Sequence, residues 1–281
     1  MSFFGNPVTA DLIAKIFQEA DEEIRFQVSD PDFRIESGER PRLGGLATLV
    51  NQQLRLAHPF IWSHHYRAHD RDTSTYDALI VFRWGDEVKI GIVEAKYFQI
   101  LGKNTSDTWD WRCNRNDPTS HFTKQVINQQ QWTDVAAVWD MFIPNCKIGS
   151  YSPPLHRTGS SNIWANETFA HPNISNPTNL WTYQDVLDAT DKFLSLAQII
   201  SSILKCEKGV VHQVPKKGTS TLRLFSKSDR RMNVPIQRRD SSKDEIELFF
   251  KQNPTIGSYN SYRFDDLAST VTNYQKGRGF R

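Results

Sequence analysis

The sequence predicts an α/β protein, and three observations carry that expectation. Two amphipathic helix patterns lie before His58. Two β-branched apolar runs, TYDALIVFRW and VKIGIVEAKYF, then flank Gly85-Asp86, the pattern of strand, tight turn and strand. A further helix pattern and another apolar run follow, so helices and strands alternate along the chain.

Taken in order, TADLIAKIFQEADEEIRF reads as a helix capped by Thr9, with Leu12, Ile13, Ile16 and Phe17 at helical spacing. DPDFRIESGERP is a loop by its Asp, Pro and Gly content. PRLGGLATLVNQQLRLA is a second helix with Leu43, Leu46, Leu49, Val50 and Leu54 as its apolar stripe. HPFIWSHHYRAHDRD is a strand running into a polar loop, and the hairpin about Gly85-Asp86 follows. After a polar loop over QILGKNTSDTWDWRCNRNDP, SHFTKQVINQQQW reads as a helix capped by Ser120, and VAAVWDMFI as a short buried strand. NIWANETF is read as one more strand, and TYQDVLDATDKFLSLAQIISSILK as a long helix.

Composition narrows the class. A chain of 281 residues that is 38% hydrophobic and 12% aromatic carries enough apolar surface for a globular core. No run approaches the ~20 apolar residues of a membrane-spanning helix. The N-terminal stretch MSFFGNPVTADLIAKIF lacks the pattern of a signal peptide. Three widely spaced cysteines, Cys113, Cys146 and Cys206, suit neither a disulfide framework nor a zinc knuckle, so a cytoplasmic location is expected.

The net charge of +2 conceals an asymmetry. From Lys205 onward there are 16 Lys and Arg against 8 Asp and Glu, while residues 1–204 carry 18 against 24. The chain therefore divides into an acidic core over 1–204 and a basic segment over 205–281, partly disordered, with its last fifteen residues unstructured. Such a segment either holds an anionic partner or is a solvated tail.

The hairpin also holds an anomaly: Glu94 and Lys96 lie deep within an apolar strand. An unpaired charge there costs several kcal/mol. Side chains alternate along a strand, so both charges share a face with Ile90 and Ile92. Folding the hairpin about a two-residue turn sets Trp84 against Glu87, Phe82 against Lys89, and Asp77 against Glu94. Cross-strand partners lie ~4.5–5.5 Å apart, where two carboxylates repel unless a cation lies between them. Asp77 and Glu94 are therefore candidate ligands for Mg²⁺, with Mn²⁺ as a substitute, and Lys96 stands beside them to orient water or neutralise a phosphate.

TYDALIVF followed by GIVEAKYF resembles the active-site signature of the PD-(D/E)XK nuclease superfamily, the restriction-endonuclease-like fold. Asp77, Glu94 and Lys96 match its three named positions, and Tyr76 stands where the family name has proline. Over roughly residues 40 to 145 the resemblance implies a central mixed β-sheet flanked by helices, and a nuclease acting on nucleic acid, most often DNA. It also implies that the carbonyl of Ala95 completes the metal shell. Polar residues on the helix after the lysine strand and an acid on the first core helix are further features it implies. His121, Gln125 and Gln129 share one face of SHFTKQVINQQQW, where the amides either touch the phosphate backbone or Lys96, or are solvated. Glu39, just before the second helix, is the candidate acid, ahead of Glu19, Glu22 and Glu23.

Other features rank lower. His64, His65, His69, Asp70 and Asp72 form a dense polar cluster without zinc-site spacing. Trp109, Trp111 and Arg112 either stack on bases or pack back onto the core. The sequence has no Walker motif and so no ATPase or helicase signature. A non-catalytic module that docks on nucleic acid or protein is the alternative to a nuclease, and a homodimer is compatible with either.

Overall fold

The computed structural model describes residues 3–4, 7–29, 39–57, 62–67, 76–97, 110, 112–114, 116–143, 159–214, 221–236, 243–254 and 256–264. Helices α1 (Pro7–Ser29) and α2 (Glu39–Ala57) lead into strands β1 (Trp62–Arg67), β2 (Ala78–Trp84) and β3 (Glu87–Tyr97). A small ribbon of β4 (Arg112–Asn114) and β5 (Asp117–Ser120) precedes α3 (His121–Gln130) and β6 (Ala137–Ile143). Then come β7 (Ser161–Trp164), α4 (Ala165–Ala170), α5 (Tyr183–Asp188), α6 (Leu196–Leu204) and the short β8 (His212–Gln213). The ribbon β9 (Thr221–Phe225) and β10 (Arg231–Pro235), helix α7 (Lys243–Gln252) and β11 (Ser258–Arg263) complete the described elements.

The molecule is α/β, with a central mixed sheet ordered β1-β11-β2-β3-β6-β7 and β8 pairing on the free end of β3. The β11–β2 and β3–β6 pairs are parallel and the others antiparallel. Gly85 takes the left-handed φ of 60° that closes the β2–β3 turn. That turn sets the register: Trp84 pairs with Glu87, Phe82 with Lys89 and Ala78 with Val93.

Each face of the sheet is covered by helices. Ala78, Ile80, Phe82, Val93 and Ala95 point towards α1, α2 and α6. Leu79, Val81, Ile90 and Ile92 point the other way, under Trp132, α7 and the β9–β10 ribbon. A third apolar cluster around Phe122, Phe142 and Trp181 holds α3 and α5 over β6.

Several sequence expectations change. The helix begins at Pro7 rather than after a Thr9 cap, and Leu12 is exposed. Proline is well placed there, because the first helical residue needs no N–H partner. The stretch read as one helix from Thr182 to Lys205 is two, each opened by its own capping box: Thr182 with Asp185, and Ser195 with Gln198. Between them Leu194 exchanges two 2.9 Å backbone hydrogen bonds with Asn162, which holds the chain extended. NIWANETF divides into β7 and α4. The basic quarter set apart at residue 205 returns to the core, since β11 lies between β1 and β2. Residues 267–281, expected to be unstructured, lie outside the described residues.

Candidate active site

Asp77 sits one residue before β2, where its N–H donates to the Val93 carbonyl (3.1 Å) and extends the hairpin register to Glu94. Its Oδ2 accepts from the Ala95 N–H at 2.8 Å, so β3 itself orients the carboxylate. Glu94 and Lys96 lie on the same face, each 1% exposed, and Asp77 is 6% exposed. The Lys96 ammonium donates to Glu94 Oε1 at 2.6 Å, and the Gln125 amide donates to the same oxygen. Glu94, Lys96 and Gln125 are thus joined by hydrogen bonds, and Asp77 stands level with Glu94 on the neighbouring strand, its carboxylate held by the Ala95 N–H.

Helix α3 delivers Gln125 because its first turn is tied down. Ser120 caps it, accepting from the Thr123 N–H at 2.8 Å. Buried Asp110 accepts from the Ser120 hydroxyl (2.5 Å), the Phe122 N–H (2.9 Å) and the Trp181 N–H (3.2 Å). The polar face of α3 is turned inward, not into solvent: Gln125 and Gln129 are buried and His121 is half-buried. Burial first, and the Lys96 ammonium second, push His121 down to about 4, so it is neutral at physiological pH.

Tyr76 braces the residue that follows it, Asp77. Its hydroxyl donates to the Asn128 carbonyl (2.9 Å) and accepts from the Trp132 indole (2.8 Å), which fastens the Asp77 segment to α3. Burial raises this phenol to about 12, so it acts only as a neutral brace. From the other side, Gly257 donates to the Tyr76 carbonyl and the Ser258 hydroxyl to the Asp77 carbonyl. A Cβ at Gly257 would lie 2.9 Å from the Asp77 carbonyl oxygen, so only glycine permits this approach.

Asp140 is a residue that sequence reasoning missed. It pairs in register with Glu94 across β3 and β6 and is 0% exposed. Its Oδ2 accepts from Thr168 at 2.7 Å. Burial raises its carboxyl to about 6, while Thr168, the Gln129 amide and the Lys96 ammonium act in the opposite sense. The sequence signal was a single aspartate inside VAAVWDMFI, a strand otherwise apolar.

The other candidates do not join this group. Glu39 is the first residue of α2, and its side chain lies outside the described residues. On α1, Glu19 pairs with Lys15 and Glu22 accepts from Gln18. The buried acid of that helix is Asp21, held by the Ser160 N–H and hydroxyl on the opposite side of the sheet. His65 contacts Asn260 at 2.5 Å. The His64 side chain, His69, Asp70, Asp72, Trp109 and Trp111 lie outside the described residues, as do Lys216, Lys217, Arg238 and Arg239. Cys113 and Cys206 are free thiols, and Cys146 is outside the described residues.

The donors the resemblance implies, Asp77, Glu94 and the Ala95 carbonyl, would all be oxygens, which suit a hard divalent cation that keeps several waters. Among the described residues, no three His, Cys, Asp or Glu side chains are grouped to hold a metal. No described helix is long and apolar enough to cross a membrane. No known family, characterised protein or solved structure matches this chain.

Proposed function

We propose that the chain is a metal-dependent nuclease of the PD-(D/E)XK type that hydrolyses phosphodiester bonds, with DNA as substrate. One observation carries the reading: two carboxylates and an ammonium, almost withdrawn from water, share a face of adjoining strands. Asp77, Glu94 and the Ala95 carbonyl would hold Mg²⁺ or Mn²⁺. When bound, such an ion lowers the pKa of its water and offsets charge on the phosphate. Asp77 is oriented for this by the Ala95 N–H, and Gln125 fixes Glu94. Lys96 supplies a positive charge beside the carboxylates to orient the attacking water and stabilise developing negative charge. His121, uncharged, adds no competing cation. Positioning and charge neutralisation do most of the work.

The 2.6 Å Lys96–Glu94 contact favours one second reading, a non-catalytic nucleic-acid- or protein-binding module in which that ion pair is structural. Incubating the protein with linear duplex, circular single-stranded DNA and RNA, in Mg²⁺, Mn²⁺ or EDTA, separates the two. A nuclease cleaves only with metal, and Asp77→Ala and Glu94→Gln each abolish cleavage while remaining folded. Mg²⁺ at a hundredfold excess over its Kd stabilises the wild type by ~2.7 kcal/mol and stabilises neither variant comparably. Lys96→Ala keeps much of that metal response and loses cleavage. A structural pair gives the opposite pattern: Lys96→Ala costs ~3–5 kcal/mol, and no melting temperature responds to metal.

A further inference from the structure

Ribbon β9–β10 stands outside the central sheet, and its two faces differ in kind. Leu222, Leu224, Met232 and Val234 point inward onto the core. In the pairing, Arg223 lies opposite Asn233 and Phe225 opposite Arg231, so these four share the outward face. Arg223, Phe225 and Arg231 are exposed, and Phe225 is 56% accessible. Among the described residues, Phe225 is thus a large aromatic ring left mostly exposed between arginines.

The turn that joins the strands is built rather than loose. Ser226 N–H donates to the Arg230 carbonyl (2.8 Å), and Asp229 takes the left-handed φ of 58° that the tight turn requires. The turn docks on the residues after α3: Lys227 N–H donates to the Gln131 carbonyl (3.1 Å) and the Ser228 hydroxyl to Gln131 Oε1 (2.8 Å). Arg230 lies close enough for its charge to act on the Tyr76 hydroxyl, and Tyr76 precedes the site acid Asp77. A basic edge is thus held rigidly beside an acidic, buried site.

Building on the nuclease reading, we infer that the outward face of β9–β10 is the docking surface for duplex DNA, with Arg223, Arg231 and the Arg230 turn against the phosphates and Phe225 in the groove between them. A two-stranded ribbon has the width that the major groove of B-DNA admits. Arginine forks match phosphate oxygens. The turn's hydrogen bonds to Gln131 tie the ribbon to the end of α3, the helix that carries Gln125.

The test is binding in EDTA, where no cleavage is expected, using fluorescence anisotropy of a labelled 20-base-pair duplex across a salt series. Arg223→Ser/Arg231→Ser should weaken binding at least ~10-fold and flatten the plot of log K against log salt by about two, the value for two phosphate contacts. Phe225→Ser should weaken binding with the slope unchanged. These side chains face outward, so melting temperatures should stay within a few degrees of wild type, and a variant that unfolds is replaced by Arg223→Gln/Arg231→Gln. Unchanged affinity and slope, or loss of single-stranded binding alone, would overturn the assignment, as would a wild type that binds no duplex. Metal-dependent cleavage of DNA by that same wild type would leave the nuclease reading standing without this surface.

Discussion

Asp140 is the residue whose position asks most of its surroundings. It lies level with Glu94 on the next strand, and Lys96 stands two residues on, within electrostatic reach of both. An ammonium with two carboxylate neighbours can lose either one and remain compensated. In EDTA, Glu94→Gln and Asp140→Asn should therefore each be tolerated singly, while together they strand the charge. Thermal melts of the cycle should give a coupling of ~1–3 kcal/mol, and Lys96→Met should erase it. A double variant that fails to fold while the Lys96→Met triple folds is the same result in extreme form. Additive losses would remove Asp140 as a counter-ion. The contrast with Asp77 explains what was legible: a two-residue turn converts sequence distance into register, so Asp77 opposite Glu94 follows from counting. Asp140 reaches Glu94 through a parallel pairing across a crossover that contains α3, and nothing local announces it.

Among the elements, α3 shows how a correct boundary can hide an ambiguous face. Ser120 was readable as its cap, and the helix begins after it. His121, Gln125 and Gln129 were readable as one stripe, but a polar stripe has the same period whether water or a buried carboxylate receives it. Only Glu94, from another strand, decides that the stripe faces inward. Ser120→Ala removes the cap and one donor to Asp110, so a loss of ~1–2 kcal/mol is expected in denaturant unfolding. Because that turn seats Gln125, cleavage should fall along with stability. Stability unchanged within error would mean that Asp110 alone secures the turn. The α5–α6 break was illegible for a related reason: Val186, Leu187, Phe193, Leu194, Leu196, Ile199 and Ile200 supply apolar faces on both sides of it, and the interruption comes from Asn162 pairing with Leu194.

At the level of the whole molecule, the sheet depends on a strand drawn from far along the chain. Without β11, β1 loses its neighbour and β2 presents an unpaired edge, the condition that invites aggregation. A chain ending at Pro254 should lose cooperative unfolding and sediment as aggregates, and a monomeric, cooperatively melting fragment would show that β11 is dispensable. Nothing in SYNSYR marks it as central, since its alternation is polar and its neighbours are basic. The same strand closes the site, because Gly257 and Ser258 hold the Tyr76–Asp77 carbonyls. This imposes an order on biosynthesis. The signature residues leave the ribosome early, but the brace behind Asp77 cannot form until Ser258 has been made. If the protein cuts DNA, a chain terminated before Ser258 would carry the residues for cleavage without the brace that positions one of them, and so would be harmless.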